Sequence, residues 1–193
     1  MYQLIFLGAP GAGKGKQAEI FAQNNKLANI STGVMLRNEI ASGSALGLEL
    51  KPIIETGALV SDELVISLIE HRLTQIDCQK GYIFDGFPRT IQQAEELEKF
   101  FIKQKIKLPL VVMFDISDEN LLARLENRRN SDEHRADDAV EVQKNRLQIY
   151  REQTVPLIDY YKQKGQLVRV DANADVEVVQ QRLVDVLNVA NNS

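Results

Sequence analysis

Apolar residues along the chain follow two rhythms. Short runs rich in Ile, Val and Phe occupy 2–7 (YQLIFL), 82–84 (YIF), 110–115 (LVVMFD) and 167–171 (LVRVD). Runs of that length with little polar alternation predict strands buried on both faces, the pattern of a parallel sheet. A fifth, shorter strand is expected at 28–30. Between them apolar positions recur with helical period over 14–23, 61–76, 90–104, 118–128, 138–164 and 175–189. Alternating strands and helices predict an α/β fold in three layers, α/β/α, around a parallel five-stranded sheet.

Two segments interrupt the alternation. Residues 31–60 hold two short helical pieces broken by Gly43, Gly47, Pro52 and Gly57, and read as an inserted helical subdomain. Residues 127–138 (NRRNSDEHRADD) form a compact polar stretch between two helices, a candidate mobile loop. With 193 residues and no internal repeat, low-complexity tract or linker, the expectation is one domain over 1–193 with these two insertions. A chain of this length buries about 70 % of the surface its unfolded form exposes.

Composition narrows the function classes. Charged residues make up 26 % and apolar ones 44 %, and no apolar run approaches the roughly 20 residues that span a bilayer, so no membrane insertion is expected. The start MYQLIFLGAPG lacks the basic residues, longer apolar stretch and cleavage site of a secretory signal, and the expected location is the cytoplasm. The single cysteine, Cys78, reads as a small buried hydrophobe in a reducing compartment. Against 23 basic side chains stand 27 acidic ones, a net charge of −4 that disfavours binding to nucleic acid and leaves phosphate recognition to local pockets.

One such pocket is written in the chain. Gly8-Ala9-Pro10-Gly11-Ala12-Gly13-Lys14 follows a predicted strand and opens a predicted helix, as a phosphate-binding loop must. Glycines let backbone N–H groups turn inward, the helix start adds unpaired donors, and Lys14 can reach the phosphate to be transferred. A mere strand-to-helix turn needs neither four glycines within 8–15 nor the internal Lys. The layered fold expected is therefore of the P-loop kind. Gly15 and Lys16 follow Lys14, so the Ser or Thr hydroxyl that commonly holds magnesium after this Lys is missing.

The run GAPGAGKGKQA closely resembles the loop of adenylate kinases, which read Gly-Lys-Gly-Thr-Gln there. The resemblance continues, in order and spacing, through Ser31-Thr32-Gly33 with Met35-Leu36-Arg37, then Gly57 to Val60, then Asp85-Gly86-Phe87-Pro88-Arg89 with Gln93, and finally Arg124, Arg128, Arg135-Ala136-Asp137-Asp138 and Arg146. It implies the short-lid form of that family, a monomer that reversibly moves a phosphoryl group from Mg-ATP to AMP, giving two ADP for adenine nucleotide balance and salvage. The implied partners are ATP, AMP and ADP. By the same resemblance 31–60 is the AMP-binding subdomain and 127–138 the lid; the lid carries no cysteine, so no zinc is expected.

Roles carry over residue by residue. ATP is expected against Gly11, Ala12, Gly13, Lys14, Gly15 and Lys16, with Arg124, Arg128 and the backbone at Ala174. AMP is expected against Thr32, Arg37, Ala58, Leu59, Val60, Gly86, Phe87, Pro88, Arg89 and Gln93, with Arg135 and Arg146. Catalysis is assigned to Lys14, Arg89, Arg128, Arg135 and Arg146, with Asp85 holding magnesium through water and no residue ligating it directly. The physical chemistry agrees: guanidinium forks stay charged and grip phosphate bidentately, and the Gln93 amide offers a donor and an acceptor to the N1 and N6 edge of adenine. Any one Arg alone reads equally as a solvated surface charge, and Gln93 as a solvent-facing helix residue; Arg129, His71 and His134 are read as surface groups. In the family manner Phe87-Pro88 is a candidate cis bond.

Two departures stand out. Lys16 replaces the family Thr, and Val34 replaces the Asp of Ser-Thr-Gly-Asp, which removes one of two carboxylates expected to organise hydrated magnesium. The expectation is that Lys16 partly substitutes for that organisation and alters metal dependence. The rivals are a regulatory nucleotide-binding protein, a P-loop motor or switch, which would want Ser or Thr after Lys14, and a UMP or CMP kinase, which Thr32 and Gln93 oppose.

Overall fold

The computed structural model describes residues 2–130 and 139–191. Five strands, β1 (Gln3–Leu7), β2 (Ala28–Ser31), β3 (Tyr82–Asp85), β4 (Leu110–Asp115) and β5 (Leu167–Asp171), form one all-parallel sheet in the order β2-β3-β1-β4-β5. The helices are α1 (Lys14–Asn25), α2 (Thr32–Ala41), α3 (Ala45–Glu55), α4 (Asp62–Leu73), α5 (Ile91–Gln104), α6 (Asp118–Arg129), α7 (Val140–Ile149), α8 (Pro156–Gln163) and α9 (Val176–Asn191).

Register explains why the strands read as unbroken apolar runs. Ile5 pairs with Phe84 on one side and Val111 on the other, and all three belong to one hydrophobic cluster, closed over by Leu97 and Phe101 of α5 and Leu157 and Tyr161 of α8. Leu4, Phe6, Ile83, Val112 and Phe114 point the opposite way, onto Ala18 and Phe21 of α1 and Val179, Leu183 and Leu187 of α9. Both faces of each central strand are thus core, and alternation has nothing polar to display. Phe84 and Phe114 have no exposed surface, and cutting either to Ala would cost about 3–5 kcal/mol.

Local chemistry moves three of the expected boundaries. Gly47 and Pro52 do not break the second helical piece; α3 runs through both, and the breaks fall at Gly43 (φ 70°) and Gly57 (φ 76°). Gly47 is needed for packing instead: a Cβ there would collide with the Glu39 carbonyl of α2. The helix expected over 61–76 stops at Leu73, because Arg72 grips Asp77 with both nitrogens (2.8 and 2.6 Å) and folds the chain into a 3-10 turn, Ile76–Lys80. The single helix expected over 138–164 is, in its described part, two helices joined by a π-turn, Tyr150–Thr154. Pro156 has no N–H for an i→i−4 bond, and the Val155 N–H instead reaches back five residues to the Tyr150 carbonyl (2.9 Å).

Strand β1 is the switch point. The chain leaves it through α1 to one side and returns through α5 and β4 on the other, so the carboxyl ends of β1, β3 and β4 open a crevice where sheets of this type bind ligands. Helices α3, α4, α5 and α6 begin on Ser or Thr side-chain caps, Ser44, Ser61, Thr90 and Ser117. Helices α1 and α2 begin at this crevice with no side-chain cap.

Candidate active site

One wall is made of backbone. Gly11 and Gly13 adopt φ of 94° and 92°, and a Cβ on Gly11 would sit 2.7 Å from Leu125 Cδ2, so the loop lies against α6 only because that residue is glycine. Gly13 caps α1 without a side chain, leaving the first-turn N–H groups and the positive end of the helix dipole for an anion. Lys14 Nζ donates to the Gly8 and Ala9 carbonyls (2.6 and 2.8 Å). Burial pulls its pKa down to about 8; Asp85 opposes the shift, while Arg89, Arg146 and Arg128 add to it. An ammonium group beside three guanidinium groups concentrates positive charge that suits a polyanion.

The facing wall is made of side chains. Thr32, at the start of α2, donates through Oγ1 to the Gly86 carbonyl (2.9 Å), and Arg89 Nε donates to the same oxygen (2.8 Å). Gly86 (φ 78°) admits no Cβ without crowding Arg89 Nη2 at 3.1 Å and Thr32 Oγ1 at 3.2 Å. The Phe87–Pro88 bond is cis. Phe87 is buried against Phe84, which anchors the strand end and leaves Pro88 and Arg89 to line the crevice. Gln93 is 2 % exposed, not solvent-facing: its Oε1 accepts from the Arg89 N–H (2.7 Å), and its Nε2 donates to Asp62 Oδ1 (2.6 Å).

The walls meet at Asp85. Ser31 Oγ donates to Asp85 Oδ2 (3.1 Å), an oxygen that also lies 3.3 Å from where a Cβ on Gly15 would be, so the carboxylate abuts the phosphate loop. Arg124 ties the loop down, donating to the Ala12 carbonyl (3.1 Å) and to those of Ala172 and Ala174 (2.8 and 2.7 Å). Between the walls lies one open cavity of about 1190 Å³. Its lining brings together Gly11, Gly13, Lys14, Gly15, Lys16, Thr32, Arg37, Ala58, Leu59, Val60, Asp85, Gly86, Pro88, Arg89, Gln93, Arg124, Arg128 and Arg146. That exceeds the roughly 300–1,000 Å³ of an ordinary small-molecule site. Ala12 and Ala174 face away, offering their carbonyls to Arg124, and Phe87 faces the core. Arg135 lies outside the described residues, as do His134, Asp137 and Asp138.

A sequence model of the family described as Adenylate kinase matches residues 6–166. The adenylate kinase of Synechococcus sp. (strain WH7803) is 44 % identical over 181 residues, 94 % of this chain and 96 % of that protein. That of Prochlorococcus marinus (strain NATL2A) is 46 % identical over 179 residues, 92 % and 93 % of the two chains, and that of Stenotrophomonas maltophilia (strain R551-3) 41 % over 182, 94 % and 97 %. The chain belongs to the adenylate kinase family.

Within that family its two departures both face the cavity. Lys16 reaches sideways to Glu19 Oε2 (3.4 Å), and Val34 is 47 % exposed. Arg129 donates to Gln143 Oε1 (3.1 Å), and His71 is exposed on α4. Sequence reasoning missed four polar supports. Ser31 orients Asp85, Asp62 holds Gln93 and Thr90, and Thr154 Oγ1 donates to the Arg89 carbonyl (2.9 Å). Asn145 Nδ2 donates to the Thr56 carbonyl (2.7 Å), tying α7 to the turn at Gly57. Ser31 and Asp62 carry a signal, a polar residue at a strand end and one in a first helical turn; Thr154 and Asn145 carry none.

Proposed function

We propose that this chain transfers the γ-phosphoryl group of ATP to AMP, reversibly, giving two ADP. The observation that carries it is that one cavity is lined by the glycine loop, by Arg37, Arg89, Arg128 and Arg146 and by the Gln93 amide, together with Lys14 and Asp85. ATP phosphates rest on the loop N–H groups and Lys14, with Arg124 stacking on the donor adenine. Arg37 and Arg89 clamp the AMP phosphate, Thr32 and Gln93 face its base, and 58–60 line its bed. An oxygen of the AMP phosphate attacks the γ-phosphorus in line as the bond to the β–γ bridging oxygen breaks, and Arg128, Arg146 and Arg135 neutralise the spreading charge. The attacking oxygen is already anionic, so no general base is required.

Asp85, flanked by Ser31, fits a hard cation that prefers oxygen ligands and keeps most of its waters. Among the described residues there is no group of three or more His, Cys, Asp and Glu that could hold a metal ion. Magnesium, when bound, would supply neutralisation of the β- and γ-phosphate charge. Residues 31–60 and 127–138 act as closing elements that keep out water, which would otherwise hydrolyse ATP. Action as a monomer in the cytoplasm is part of the same proposal. Among the described residues no helix is long and apolar enough to cross a membrane.

The test is chromatographic separation of nucleotides after the protein meets Mg-ATP with AMP, UMP, CMP or GMP in turn. Two ADP per AMP, and little transfer to the others, is the expected result. ATP binding without transfer to any acceptor would replace this reading with a regulatory one, for which Lys16 and Val34 in the cavity would be the first cause to examine.

A further inference from the structure

We propose that Asp62 is a positioning residue that sets which purine the acceptor site takes. The inference rests on the AMP reading above. A glutamine amide is ambiguous as a base reader: with its oxygen opposite the C6 substituent it accepts from the adenine N6 amine and donates to N1, and turned over it donates to guanine O6 and accepts from N1–H. A phosphate held at Arg37 and Arg89 lets the purine enter one way round, so the choice passes to the amide's orientation.

In this chain that orientation is locked from both ends. The Arg89 N–H can only donate, and it meets Gln93 Oε1 at 2.7 Å; a carboxylate can only accept, and Asp62 Oδ1 meets Gln93 Nε2 at 2.6 Å. Turning the amide over would set oxygen against carboxylate and N–H against N–H, leaving two buried groups unpaired and repelling. Asp62 is itself held: its other oxygen accepts from Thr90 Oγ1 (3.1 Å), and Thr90 caps α5 by accepting from the Gln93 N–H (3.1 Å). The lock spans two elements, the first turn of α4 and the start of α5, 31 residues apart in sequence. Gln93 keeps one lone pair and one N–H for the cavity it lines. Asp62 does not touch the nucleotide; it acts through Gln93.

The experiment compares kcat/KM for AMP and for GMP in the natural protein, Asp62→Asn and Ser61→Ala. The amide introduced by Asp62→Asn can offer either an oxygen or an N–H to Gln93, so the lock opens at nearly constant shape. The expected result is an AMP-to-GMP preference narrowed by about 30-fold, shared between a loss for AMP and a gain for GMP, with the KM for ATP unchanged. Ser61→Ala loosens the same helix end by removing its cap while sparing the carboxylate, and should keep the natural preference. An Asp62→Asn protein that folds, loses thermal stability and keeps the natural preference would make Asp62 a structural anchor only and overturn the inference. A natural protein that makes no ADP from AMP would instead overturn the AMP reading, and this inference with it.

Discussion

In the proposed reaction the two walls of the cavity solve the same problem, holding phosphate, with different materials. The donor wall is backbone: the first turn of α1, which no side chain caps, glycines at the tight places, and one lysine. The acceptor wall is side chain, Thr32, Arg37, Arg89 and Gln93: Thr32 and Arg89 are tied to the Gly86 carbonyl, and Gln93 to Asp62. Backbone donors read charge and shape and are indifferent to the identity of the side chain they belong to. On that argument a lysine at position 16 keeps the backbone N–H that the proposed site would use, and this wall says little about the base. Side-chain networks are specific and brittle, since removing one partner leaves another buried and unpaired. The proposed function therefore places selectivity on the acceptor side, and anchoring of the transferred charge on the donor side.

The largest expected effect is at Lys14, the one donor-wall side chain proposed to reach the reacting phosphate. Lys14→Met should lower kcat by about 10³-fold with little change in the KM for AMP, measured by steady-state ADP formation. If the AMP KM rose in parallel, the walls would not be separable. Next, Arg89→Lys keeps the charge but loses the fork that Gly86 holds in place; kcat/KM for AMP should fall about 100-fold while the ATP KM stays constant. Equal damage to both nucleotides would erase the comparison.

A third prediction uses proton linkage. The Lys14 pKa, lowered by burial to about 8 in the folded chain against an ordinary 10.5, means the folded protein holds fewer protons than the unfolded chain between those values. The contribution of this group to stability accordingly rises with pH across that window. A bound polyphosphate restores the charged form, so Mg-ATP binding at about pH 8.5 should take up most of one proton, read by calorimetry in buffers of different ionisation enthalpy, and Lys14→Met should abolish the uptake. The smallest effect concerns the two departures. A Lys16→Thr, Val34→Asp variant should reach half-maximal activity at about three- to tenfold lower magnesium, because a carboxylate is restored and a competing cation removed. An unchanged magnesium profile would show that the donor wall does not use Lys16.

How far the sequence alone revealed these features depends on whether a feature is local in the chain or joins distant segments. The sheet was legible because strands buried on both faces must be apolar throughout, and the phosphate loop because Gly11 and Gly13 need conformations that other residues avoid. Supports formed between distant segments were not. The Asp62–Gln93 bond joins residues 31 apart, the Thr154–Arg89 bond residues 65 apart, and Arg124 reaches Ala12 across 112. Nothing in local periodicity marks such pairs. Pro52 misled for a related reason: its breaking tendency is a local propensity, and packing of α3 on α2 overrides it.

The central claim is that both nucleotides occupy one cavity, end to end, between these walls. Calorimetric titration with two adenosines joined by a polyphosphate chain, long enough to match ATP and AMP in line, tests it most directly. The account predicts one such molecule per chain, bound at least about 100-fold tighter than either nucleotide and excluding both, as expected when two binding sites are linked. Binding no tighter than ATP, with AMP still admitted alongside, would contradict it.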